Sequence, residues 1–95
     1  FHPDELDAAL SRGSGAILSL AARFAAKEAF GKAIGTGLRG ITLKNILVLN
    51  NHNGRPCMTL FGNAREAFER TGAKTIHLSL THERDNALAV VIIES

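Results

Sequence analysis

The sequence predicts an antiparallel α+β domain in which a sheet packs around one long central helix, and three observations carry that reading. Residues 16 to about 34 are rich in Ala and Leu and contain no Pro, which predicts a helix of about five turns. Two pairs of apolar segments, 41–49 with 57–61 and 75–81 with 87–93, are each joined by a short polar stretch, so each pair returns directly as an antiparallel hairpin. Helices and strands interleave along only 95 residues, a length that supports a single domain over 1–95.

Taken in order, Pro3 followed by Asp4 and Glu5 opens a short helix to about residue 11, because Pro fits the first turn and acids suit the positive end of the helix dipole. Arg12-Gly-Ser-Gly15 breaks the pattern as a flexible joint within the domain. On the long helix, Arg23, Lys27, Glu28 and Lys32 fall within about half the circumference at about 100° per residue, and Leu20, Phe24, Ala25 and Phe30 are expected to serve the rest. Gly35 suits the end of that helix. In the run Asn50-Asn-His-Asn-Gly-Arg-Pro56, Asn-Gly supports the positive dihedrals of a hairpin turn. Asn63 is expected to cap a third helix to about residue 71, ended by Gly72, and a second hairpin is expected to turn around residues 83–86.

Composition narrows the function classes. The net charge is only +2 at a sequence pI of about 9.1, without the dense basic blocks of a duplex binder. With no Trp, no Tyr and five Phe, stacking platforms for single-stranded nucleic acid are scarce. Cys57 is alone, which rules out an internal disulfide framework and fits a reducing cytoplasm. No apolar run approaches the roughly 20 residues of a membrane span, and Phe1-His-Pro-Asp-Glu-Leu6 lacks a signal-peptide layout.

Two constellations bear on chemistry. Glu28 and Lys32 stand four apart with the acid first, which favours an ordinary helical ion pair; the neighbouring cations Arg23 and Lys27 make a ligand site about as good a reading. Gly31, Gly35, Gly37 and Gly40 surround Thr36, and glycines let backbone amides approach a phosphate. The loop is neither a Walker loop, lacking Gly-Lys-Ser/Thr, nor a dinucleotide fingerprint, since it follows a helix. On the third strand, His77, Ser79 and Thr81 share one face while Ile76, Leu78 and Leu80 face the core. His82 falls on the opposite face from His77, a poor pairing for zinc. A triad with Asp85 lacks a nucleophile elbow and is set aside.

The segments Arg-Phe-Ala-Ala-Lys-Glu-Ala-Phe at 23–30, Gly-Thr-Gly at 35–37, Asn-Gly-Arg-Pro at 53–56 and Ile-His-Leu-Ser-Leu-Thr-His at 76–82 together resemble the bacterial holo-acyl-carrier-protein synthases, the small trimeric class of 4'-phosphopantetheinyl transferases. The resemblance implies that fold, and Mg²⁺-dependent transfer of phosphopantetheine from coenzyme A to a serine of apo acyl carrier protein, with release of adenosine 3',5'-bisphosphate. By that resemblance Glu28 matches the metal-binding glutamate and Lys32 the lysine beside the reacting phosphate. Arg23, Lys27, Gly35, Thr36 and Gly37 become candidates for holding coenzyme A. His77, Ser79 and His82 lie in the other motif, with His77 expected near the ligand, contributed by a neighbouring subunit of a homotrimer. The family also carries a leading strand whose Asp is a second metal ligand, followed by a basic helix that meets the acidic carrier protein, and the resemblance therefore implies an N-terminally incomplete domain. The reading from another class is a non-catalytic coenzyme A or nucleotide binding module. Tighter coenzyme A binding with Mg²⁺, lost in Glu28→Ala, would separate the two.

Overall fold

The computed structural model describes residues 1–83 and 86–95; the side chains of His82 and Glu83, and Arg84 and Asp85 altogether, lie outside the described residues, and with them the centre of the second expected hairpin turn. Helix α1 runs Pro3–Leu10, α2 Ala16–Ala33 and α3 Gly62–Arg70. Strands β1 (Ile46–Asn50) and β2 (Pro56–Leu60) form one antiparallel hairpin, and β3 (Thr75–Glu83) and β4 (Asn86–Glu94) form the other. The 18-residue α2 is the central element expected from its composition. Its buried face carries Ala26 and Phe30 against Ile46, Val48 and Ala64, with Ile76, Leu78 and Leu80 packed against them.

Local chemistry explains the ends. His2 caps α1: its Nδ1 accepts from the amide of Asp4 at 3.0 Å, while Glu5 Oε1 accepts from the amide of His2 at 2.9 Å. This is a reciprocal capping box. The expected joint at 12–15 is a short 3-10 turn, Gly13–Gly15, leading straight into α2.

Two expectations need correction. The first strand begins at Ile46 and not at residue 41, because Leu43–Asn45 closes a 3-10 turn. Asn63 is the reason: it is not the cap of α3, whose N-cap is Phe61. Its Oδ1 accepts from the amide of Thr42 and from Asn45 Nδ2, both at 3.0 Å, and its Nδ2 donates to Thr42 Oγ1 at 3.0 Å. A side chain that satisfies the backbone of a turn competes with the strand ladder for that segment.

The β3–β4 hairpin shows the expected alternation, with Ile76, Leu78 and Leu80 partly buried and His77, Ser79 and Thr81 exposed. Opposite them in register stand Ile92, Val90 and Leu88, which are 54%, 55% and 69% exposed. The outer face of this hairpin is therefore half polar and half apolar.

Candidate functional site

The structure divides the four charges of α2 into two pairs. Glu28 and Lys32 are exposed, and among the described residues they close no ion pair with each other or with a neighbour. Helical spacing alone would have allowed a mutual salt bridge; its absence leaves a carboxylate and an ammonium on one solvent-facing side of α2.

Arg23 and Lys27 are buried, which overturns the expectation that all four charges share one broad face. Arg23, 6% exposed, donates through Nε to the carbonyl of Val48 at 2.9 Å and through Nη1 to the Ser19 carbonyl at 3.3 Å and to the Ser19 hydroxyl. Burial lowers its pKa below the ordinary arginine value, the charge of Glu5 opposes that shift, and the nearby charge of Arg12 adds to it. Lys27 is fully enclosed: its ammonium donates to Glu5 Oε1 at 2.7 Å and to the carbonyl of Leu43 at 2.9 Å, and it lies 5.1 Å from the centre of the Phe1 ring. With its donors committed inside, Lys27 is not presented to a ligand at the surface. Conversely Phe24, expected on the apolar side of the helix away from the charges, is 41% exposed.

The glycine loop folds back onto α2. Gly35 and Gly37 have φ of 87° and 66°, in the left-handed region that glycine alone enters cheaply. The amide of Gly37 donates to the carbonyl of Gly31 at 2.9 Å. A Cβ on Gly31 would lie 2.6 Å from the carbonyl carbon of Gly37, so the loop backbone rests on the helix where a side chain would stand. Thr36 is exposed at its tip. The expected helix-ending role of Gly35 is present as well, its amide donating to Lys32 O at 3.1 Å. Because this is the negative end of the helix dipole, a phosphate here is favoured by Lys32 and not by the helix.

Two of the cavities gather other residues singled out from the sequence. A groove of about 650 Å³ runs between β2 and β3, lined by Arg55, Pro56, Cys57, His77 and Ser79 among others; it joins the expected Asn-Gly-Arg-Pro and His-Leu-Ser motifs. His77 Nε2 lies 2.5 Å from Glu94 Oε1 across the hairpin. Glu28 and Lys32 do not line this groove. A second cavity, of about 480 Å³, lies beside the start of α2 and brings Arg12, Ser14, Ser19, Arg23 and Asn50 together. Arg12 and Ser14 carried no signal in the sequence reading beyond a flexible joint; only the fold sets them beside Arg23.

No group of three or more His, Cys, Asp or Glu suited to a metal occurs among the described residues. The chemistry of the site fits a hard cation in one way: Mg²⁺ keeps water and binds through one or two carboxylates plus substrate phosphates, and Glu28, exposed and without an ion-pair partner among the described residues, would offer one such carboxylate.

The sequence profile of the 4'-phosphopantetheinyl transferase superfamily matches residues 1–91. A holo-[acyl-carrier-protein] synthase of Treponema denticola is 60% identical over 94 residues, covering 99% of this chain and 76% of that protein. One from Treponema pallidum is 56% identical over 75 residues, covering 79% of this chain and 60% of that protein. Among solved structures, the holo-[acyl-carrier-protein] synthase of Neisseria meningitidis matches all of this chain and 76% of its own at a TM-score of 0.85 and 38% identity. The Helicobacter pylori enzyme in complex with coenzyme A matches 99% of this chain and 76% of its own at a TM-score of 0.79 and 25% identity. On fold, on sequence, and on the helix and hairpin motifs that the groove and loop display, this chain belongs to the 4'-phosphopantetheinyl transferase superfamily.

Proposed function

We infer that this chain is a holo-acyl-carrier-protein synthase, moving the 4'-phosphopantetheine group of coenzyme A onto a serine of apo acyl carrier protein. The observation that carries the reading is the 60% identity to such a synthase across 99% of the chain. The serine oxygen attacks the pyrophosphate phosphorus that bears the pantetheine arm. A new oxygen–phosphorus bond forms, the bond to the bridging oxygen breaks, and adenosine 3',5'-bisphosphate leaves while the serine proton passes to a base.

The roles follow the exposures. Lys32 faces solvent beside the glycine loop and stabilises charge on the leaving bisphosphate or gives it a proton, as cations do in phosphoryl transfer. Glu28 is the carboxylate that would hold Mg²⁺, which when bound neutralises pyrophosphate charge. Gly35, Thr36 and Gly37 present backbone close to the reacting group. His77 and Ser79, with Arg55, line the groove that we assign to coenzyme A. Arg23, although anchored, borders the cavity shared with Arg12 and Ser14 and suits a second phosphate of the nucleotide.

Assembly is part of the proposal. Glu28 and Lys32 lie apart from the groove lining, and Leu88, Val90 and Ile92 are exposed on the face that carries His77 and Ser79. A homotrimer would cover those side chains and bring the groove of one protomer to the helix of the next. A cytoplasmic setting agrees with a lone, exposed, free thiol at Cys57.

Chromatographic detection of adenosine 3',5'-bisphosphate tests the reading. It is expected only when the protein, coenzyme A, apo carrier protein and Mg²⁺ are all present; its release without the carrier protein would indicate hydrolysis and contradict transfer.

A further inference from the structure

Glu5 and Lys27 are charged, almost wholly enclosed, and unused by the transfer chemistry. Their side chains are 0% and 1% exposed and meet at 2.7 Å. The same carboxylate accepts from the amide of Val48 through Oε2 at 2.9 Å and from the amide of His2 through Oε1 at 2.9 Å. Lys27 also reaches the carbonyl of Leu43, just before β1, and the carbonyl of Val48 accepts from Arg23. One carboxylate thus ties α1, α2 and β1 together.

We propose that the Glu5–Lys27 pair is a positioning device for the reaction. It fixes the rotation of α2 about its own axis and its height against β1, so that Glu28 and Lys32 project at a set place relative to the β1–β2 hairpin and the Arg55 groove. The proposal rests on the assignment of Glu28 and Lys32 to transfer chemistry.

Three observations carry it. Glu28 follows Lys27 directly, so the direction of one sets the other at about 100° around the helix. The apolar face of α2 is built largely of small residues, Ala22, Ala26 and Gly31 beside Phe30, and apolar burial has no preferred direction; the directional contacts between α2 and β1 or its approach are those of Lys27 and Arg23. Turning α2 enough to part the pair would leave two enclosed charges without their counter-charges, which is strongly unfavourable. A buried pair adds little net stability over an apolar replacement, so its contribution here is to select one arrangement.

The test compares the intact protein with the double variant Glu5→Gln/Lys27→Met, which removes both charges at similar volume, following thermal unfolding, kcat and KM for coenzyme A. Because an ångström of misplacement at a reacting centre can cost about 100-fold, we expect kcat to fall at least about 10-fold, with the thermal midpoint retained and KM nearly unchanged, the signature of an interaction expressed in the transition state. A folded double variant with the kcat of the unsubstituted protein overturns the proposal. Should the double variant fail to fold, Glu5→Gln, which keeps the size and an acceptor oxygen, decides by the same split: kcat lowered at constant KM supports it, and unchanged kcat overturns it. No product from the unsubstituted protein defeats the transfer reading and this proposal together, an outcome distinct from an active parent with an unaffected variant.

Discussion

Exposure separates the chemical side chains of α2 from its structural ones. Lys32 and Glu28 face solvent without partners among the described residues, so truncating them removes chemistry and little else. Lys32→Ala is expected to lower kcat by about 10²- to 10³-fold, the usual loss for one preorganised charge-stabilising donor. Its stability should stay within about 0.5 kcal/mol, as for surface substitutions generally; parallel turnover and thermal melts check both. Arg23 behaves differently. A base whose folded pKa is lowered carries its penalty at every pH below that value and is relieved only as pH rises through it. A guanidinium ordinarily titrates far above neutrality, and here burial only lowers it from there, so melts between about pH 6 and about pH 9 should show no step from Arg23, whereas a neutral-pH step removed by Arg23→Met would refute the assignment. Spacing located these four residues on α2 but could not say which pair turned inward: the partner of Lys27 is Glu5, 22 positions away, a contact that no local pattern reports.

At the scale of elements, the contact between α2 and the glycine loop is the most demanding. Gly31→Ala would place a Cβ 2.6 Å from loop backbone, so helix or loop must give. Overpacking of this kind costs about 1–3 kcal/mol, and the displaced loop should also reduce turnover beyond what the lost stability explains. A Gly31→Ala protein with full activity and an unchanged melt would contradict the placement of 35–37. The helices and hairpins were legible because their signals are local: an Ala- and Leu-rich run, an Asn-Gly turn, a period-two alternation at 76–81. The late start of β1 was not, because Asn63 reaches back 21 positions to Thr42. Asn63 read naturally as a cap, since Asn satisfies orphan helix amides well, but the same side-chain chemistry is spent on the turn.

For the whole molecule, the outer face of β3–β4 is the feature one protomer leaves unexplained. Exposed Leu88, Val90 and Ile92 in register with Thr81, Ser79 and His77 make a contiguous apolar strip, and such strips mark interaction surfaces. If the strip is the trimer interface, Val90→Lys should convert the assembly seen by sedimentation to monomer and remove activity together, because site parts from two protomers would separate. Monomeric behaviour of the unsubstituted protein at full activity would contradict it. Inside, Phe30 is fully buried at the centre of the core, and Phe30→Ala should cost about 3–5 kcal/mol, read as a lowered denaturant midpoint. Transfer of one phosphopantetheine arm is tested most directly by the intact mass of purified apo acyl carrier protein after incubation with this protein, coenzyme A and Mg²⁺. The predicted result is a gain equal to one arm, abolished by chelating the metal and by Lys32→Ala. An unchanged mass across several apo carrier proteins, with the protein folded and coenzyme A bound, would contradict it.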